Sequence, residues 1–101
     1  MSDYYDRDGQ PIGQDEWLRG FGDEGKKRVA QTTVSEAEVS TVWVGLDHRF
    51  GDGPPLIFET MIFGGEHGES EWRYSTEEAA KAHHHALVEA LRNGTELPDA
   101  T

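Results

Sequence analysis

The stretch Val39–Phe63, VSTVWVGLDHRFGDGPPLIFETMIF, sets two apolar, strand-like runs on either side of a Gly/Pro break. In the first run Val42, Val44 and Leu46 alternate with Thr41, Trp43 and Gly45, the period of a strand whose two faces see different surroundings. The residues Gly51–Pro55 then interrupt regular structure. The second run, LIFETMIF from Leu56 to Phe63, is continuously apolar and short, as a central strand covered on both faces is. One face takes Leu56, Phe58, Thr60 and Ile62; the other takes Ile57, Glu59, Met61 and Phe63. A single helix buries only one of these sets. The second face is expected to meet the N-terminal aromatic segment, another subunit or a ligand, with Trp43, Ile57, Met61 and Phe63 as the interface.

Outward from this centre the chain alternates turn signals with short elements. Tyr4–Ile12 reads as a hairpin, with Asp8-Gly9 as its turn and Pro11 limiting the return strand to an edge. Asp15–Phe21 has an acidic first turn, with Trp17, Leu18 and Phe21 at helical spacing and Gly20 and Gly22 ending it early. This short helix is expected to plug an aromatic pair into the core. After a polar connector, Arg28–Val34 (RVAQTTV) has the β-branched composition of a strand. Ser35–Glu38 is a turn or a continuation of it. Glu71–Tyr74 reads as a last strand leading into the strongest helix signal, over Thr76–Arg92. Ser75 and Glu78 form a candidate capping box there, and Gly94 is the expected C-cap. Ala80, Leu87 and Leu91 define its buried stripe.

These elements predict one α+β domain over residues 1–101: a hairpin and short helix (1–27), an antiparallel sheet of three to four strands (28–74), a helix packed on one face (75–93) and a loose tail (94–101). A chain of 101 residues has room for one small core.

Composition narrows the function. Twenty acidic against 9 basic residues give a net charge of -11, which opposes direct binding to a phosphate backbone or an anionic membrane. Without cysteine there is neither a disulfide scaffold nor a thiolate metal site. The start MSDYYDRDG has no signal-peptide pattern, and no apolar run approaches the ~20 residues of a membrane span. The expectation is a cytoplasmic protein with no cofactor.

Several polar residues interrupt apolar elements. Asp47 and His48 end a strand beside a Gly-rich loop, Glu59 breaks LIFETMIF, and His84 sits within His83-His84-His85 on the long helix. Three consecutive helical residues point about 100° apart and do not share one metal. His84 can face the sheet, while His85 falls with Lys81, Glu89 and Arg92 on the solvent side. Asp47, His48, Glu59 and His84 are the candidate catalytic cluster, a polar site or a set of N and O ligands for a metal such as zinc. Arg49, Arg73 and Tyr74 are the candidates for holding an anionic ligand. The structural reading of the same residues is that Asp47 caps a turn, Glu59 pairs with Arg49 or Arg73, and an imidazole packs at the helix edge. Asp6-Arg7-Asp8-Gly9 has the look of a partial calcium loop, but Pro11 and Tyr4 fit a turn better.

The motifs V-W-V-G-L-D-H (42–48), P-P-L-I-F-E-T-M-I-F-G (54–64) and R-Y-S-T-E-E-A (73–79) resemble those of a family of small phage and actinobacterial proteins to which no activity is attached. The resemblance spans Ser40–His84 and maps onto Asp47, His48, Glu59, Thr60, Arg73, Tyr74 and His84. It implies a phage-type accessory protein that binds a host or phage protein; the second apolar face of strand 56–63 and the absence of a catalytic motif add the expectation of a non-enzymatic module that forms a homo-oligomer. Two alternatives stand beside it. One is a small ligand-binding or metal-dependent hydrolytic protein using the Asp/His/Glu/His set. The other is an acidic mimic of nucleic acid, although the acidic residues are scattered in pairs such as Asp15-Glu16 and Glu77-Glu78.

Overall fold

In the computed structural model, which describes residues 3–46 and 53–100, the sheet forms around the two runs picked out above. In chain order the elements are β1 (Tyr4–Tyr5), β2 (Pro11–Ile12), α1 (Gln14–Phe21), α2 (Glu24–Lys27), β3 (Arg28–Val34), β4 (Ala37–Trp43), β5 (Phe58–Phe63), β6 (Glu71–Tyr74) and α3 (Glu77–Asn93). β3 to β6 form a four-stranded antiparallel sheet in sequence order, and β1 and β2 form a separate hairpin. The fold is α+β, with α3 packed on one face of the sheet. Among the described residues no helix is long and apolar enough to cross a membrane.

The turn between β3 and β4 is two residues long, with Ser35 at φ 52. Strand alternation from there decides the two faces. Ala37, Val39, Thr41 and Trp43 of β4 are buried against α3, together with Phe58, Thr60 and Ile62 of β5. These residues and α3 make two neighbouring clusters. Val39, Ile62, Leu87 and Val88 form one; Trp43, Ile57, Phe58, Tyr74 and Ala80 form the other. Burying side chains of this size stabilises by roughly 1.5–3 kcal/mol each before chain entropy is subtracted.

The N-terminal unit meets the sheet at Trp43, on the same side as α3, so among the described residues no element packs on the opposite face. Trp43 Nε1 donates to Tyr5 O at 3.0 Å and Trp17 Nε1 to Val44 O at 2.8 Å. Gly20 lies inside α1 rather than ending it, because the Trp43 ring passes so close that a Cβ there would sit 3.2 Å away. Trp17 and Phe21 stack and join the core as expected, whereas Leu18 is 52 % exposed. Asp6 Oδ1 accepts from the N–H groups of Asp8 and Gln10, so the Asp6–Gly9 stretch is a turn held by its own side chain.

Four expectations change. The cap of α3 is Thr76, whose hydroxyl accepts from Ala79 N–H at 3.1 Å, one residue beyond the Ser75 box. The tail is docked: Leu97 packs on the core and Pro98 O bonds His83. Trp43 is core, not interface, since its ring fills the space between sheet and N-terminal unit. Ile57 is fully buried for a related reason: Val44 and Gly45 N–H both converge on its carbonyl, an irregularity that ends simple alternation at the entry to β5.

Candidate functional site

The sheet carries its polar residues in two places, one on each face. On the helix side a run of hydrogen bonds crosses the whole sheet. His84 is 5 % exposed, with Thr32 Oγ1 at 2.9 Å from Nε2 and Thr41 Oγ1 at 2.7 Å from Nδ1. Thr41 bonds Thr60 at 2.5 Å, the Thr60 hydroxyl acts on the neighbouring Tyr74 phenol, and Tyr74 bonds His83 Nδ1. His83 Nε2 closes the run on Pro98 O at 2.9 Å. Each of the four strands contributes one hydroxyl, and α3 contributes both imidazoles.

The terminal carbonyl assigns every proton. Pro98 O only accepts, so His83 carries its hydrogen on Nε2 and takes one at Nδ1 from Tyr74. Tyr74 then accepts from Thr60, Thr60 from Thr41, Thr41 from His84 Nδ1–H, and His84 Nε2 from Thr32. Burial pushes the Tyr74 phenol up to about 12, against the lowering bond from Thr60. Burial also depresses His84, with the His85 charge adding to it. A run polarised in one direction strengthens its own members.

The opposite face holds Glu38, Ser40 and Val42 of β4, Glu59, Met61 and Phe63 of β5, and Glu71 and Arg73 of β6, in lateral register. Arg73 Nη2 lies 2.8 Å from Glu59 Oε2 and 3.0 Å from Glu71 Oε1. Burial pushes Glu59 above its ordinary carboxylate value, Arg73 pulls it back, and Glu71 pushes it further up. Arg73 Nη1 is buried with no acceptor among the described residues. Beside this triad Met61 is half-buried and Phe63 is 49 % exposed.

The predicted catalytic set does not converge. Glu59 and His84 belong to opposite faces of the sheet, so they share no site; Asp47, His48 and Arg49 lie outside the described residues. Glu59 takes Arg73 as its ion partner. Arg73 and Tyr74 are adjacent in sequence and therefore point to opposite faces, one to the acidic pair and one into the buried run. Of the four interface candidates, Met61 and Phe63 stand on the open face. Among the described residues no three His, Asp or Glu side chains gather as a metal site.

Thr32, Thr41, His83 and Pro98 were not singled out by motif. The signal available for Thr41 and Thr60 is their phase: each shares the inward face with large apolar neighbours. Two surface grooves complete the picture. One, of about 400 Å³, lies between the β3–β4 turn and the end of α3, beside Glu36, His67 and Thr95. The other, of about 380 Å³, is lined by Arg7, Arg19 and Lys26 facing Asp6, Asp8 and Glu16. Arg7 is already committed there, to Glu77 Oε1 at 2.7 Å and Lys26 O at 3.0 Å.

No family model, curated protein or solved structure matches the chain.

Proposed function

We propose that this chain is a non-enzymatic interaction module that docks a protein partner on the open face of its sheet. The observation that carries this reading is the side-by-side placement of Met61 and Phe63 with the Glu59–Arg73–Glu71 triad. An exposed Phe63 and a half-buried Met61 next to a charged triad make the mixed surface that protein interfaces use. The partner supplies an apolar group to cover Phe63, and basic groups toward Glu38 and Glu71. A net charge of -11 favours a basic partner through long-range attraction. The likeness of three motifs to phage and actinobacterial proteins suggests a phage-type accessory role in the cytoplasm, with a host or phage protein as partner. The buried hydroxyl and imidazole groups support the non-enzymatic half of the reading, because each is consumed by a neighbour.

A photo-crosslinking amino acid placed at position 63, and separately at the solvent-exposed position 89 on α3, tests the proposal in cells producing the full chain. A discrete adduct from 63 and none from 89 is the expected result. Equal labelling from both positions, or none from 63, overturns it.

A further inference from the structure

β3 borders the sheet, and the ladder fixes which of its main-chain groups face outward. Ile62 N–H bonds Ser70 O at 3.0 Å in the β5–β6 register, so by antiparallel alternation Phe63, Met61 and Glu59 bond toward β4, and their partners Glu38, Ser40 and Val42 toward β5. Thr41, Val39 and Ala37 therefore bond toward β3, to Ala30, Thr32 and Val34. The N–H and C=O groups of Gln31 and Thr33 are left directed away from the sheet, and no described residue bonds them.

Border strands are ordinarily guarded by Lys, Pro or inward charges. From Val29 to Val34 the sequence VAQTTV has none, and the single irregularity lies between Arg28 and Ala30. Such an edge is a template for a further strand.

We infer that β3 pairs antiparallel with β3 of a second copy, across a two-fold axis at Thr32, joining two four-stranded sheets into one. Three features select a second copy rather than an unrelated peptide. Gln31 opposite Thr33 matches outward groups with outward groups, so each copy satisfies the other. This register keeps every side chain on its own face, so the open face runs on without a break. It also carries Arg28 of each copy toward the Ser35-Glu36 turn of the other, twice over. Arg28 and Glu36 are exposed, and neither has an ion partner among the described residues. The symmetric registers two residues either side set Arg28 against Val34 or beyond the turn, and lose that match.

The pairing does not depend on the open face being a docking surface, and the test separates the two. Sedimentation equilibrium of the full chain, from low micromolar to submillimolar concentration, reads the monomer–dimer constant. The wild type is expected to dimerise. Thr33→Pro removes an outward N–H that the sheet does not use, and is expected to raise the dimer Kd at least about tenfold with the circular dichroism spectrum unchanged. Arg28→Glu weakens the dimer, and Glu36→Arg added to it restores pairing, a check that stands even if the proline variant does not fold. Phe63→Glu leaves the dimer intact. A wild type that is monomeric at the highest concentration overturns the inference. So does a dimer lost in Phe63→Glu and kept in Thr33→Pro, which assigns self-association to the open face. Capture of a foreign extended peptide on β3 by a monomeric chain overturns it equally.

Discussion

The Thr41 hydroxyl stands 2.5 Å from that of Thr60, on neighbouring strands and directly opposite in register, at the midpoint of the run from Thr32 to Pro98. Valine at position 41 has the same shape and no donor or acceptor. Thr41→Val leaves His84 Nδ1–H and the Thr60 hydroxyl facing a methyl group, and is expected to cost about 1–3 kcal/mol in urea denaturation. Thr41→Val with Thr60→Val is expected to cost less than the sum of the single changes, because either single change already removes the bond between the two hydroxyls. Strict additivity would mean that the two hydroxyls act separately.

Acid should act on the same run through His84. Its folded-state value lies below the ordinary 6.5, through burial first and the His85 charge second. The unfolded chain therefore binds a proton at a pH where the folded chain does not. Stability is full above about pH 6.5 and falls as pH drops toward the depressed value, by up to about 1.4 kcal/mol per pH unit for one proton. Thermal unfolding between pH 7.5 and 5.5 is expected to show this slope in the wild type and a flatter one in His84→Gln. An equal slope in both would assign the proton elsewhere.

How much of this was readable beforehand differs by element. The inward phase of Val39, Thr41 and Trp43 follows from alternation, and the end of α3 at Gly94 follows from the need for a left-handed residue, which Gly94 supplies at φ 66. Strand pairing is another matter. Arg49 and Arg73 are equal candidates for Glu59 until the β5–β6 register sets Arg73 opposite. His83 owes its role to a tail that folds back, and Pro98 by itself reads only as a residue that stops a helix. Ile57 departs from strict alternation and turns into the core, because the irregularity at its carbonyl is announced by no local residue. Of the three covers expected for the second face, the N-terminal segment lies on the other side of the sheet, so among the described residues nothing packs over Phe63, and another subunit or a ligand is left to meet it.

Glu59 illustrates how a buried ion pair sets the pH response of the open face. Burial raises its folded-state value above 4.5 despite the Arg73 guanidinium, so the ionised form is less favoured in the fold than in the unfolded chain. A raised acid contributes its stability below its unfolded value and loses it as pH rises through the folded one. Glu59→Gln is therefore expected to be neutral or stabilising at pH 7, with Glu71 still holding Arg73, and to lose that advantage by pH 4. A clear loss of stability at pH 7 would show that the pairing with Arg73 outweighs burial.

The junction between the N-terminal unit and the sheet depends on Gly45, and two glycines of nearly equal conformation separate the causes. Gly45 has φ 67 and Gly94 has φ 66. A Cβ at Gly94 meets nothing, whereas one at Gly45 drives into the Trp43 ring and lies 2.7 Å from Trp17 Cδ1. Gly94→Ala then carries the left-handed penalty alone, about 1–2 kcal/mol. Gly45→Ala adds overpacking of roughly 1–3 kcal/mol and displaces the indoles that bond Tyr5 O and Val44 O. The tryptophan fluorescence of Gly45→Ala is expected to shift toward the red before global unfolding, as α1 and the hairpin loosen from Trp43, while Gly94→Ala keeps the wild-type spectrum. Matching spectra and matching losses in the two variants would mean that the indoles yield to the methyl group, and that the junction is not closely packed.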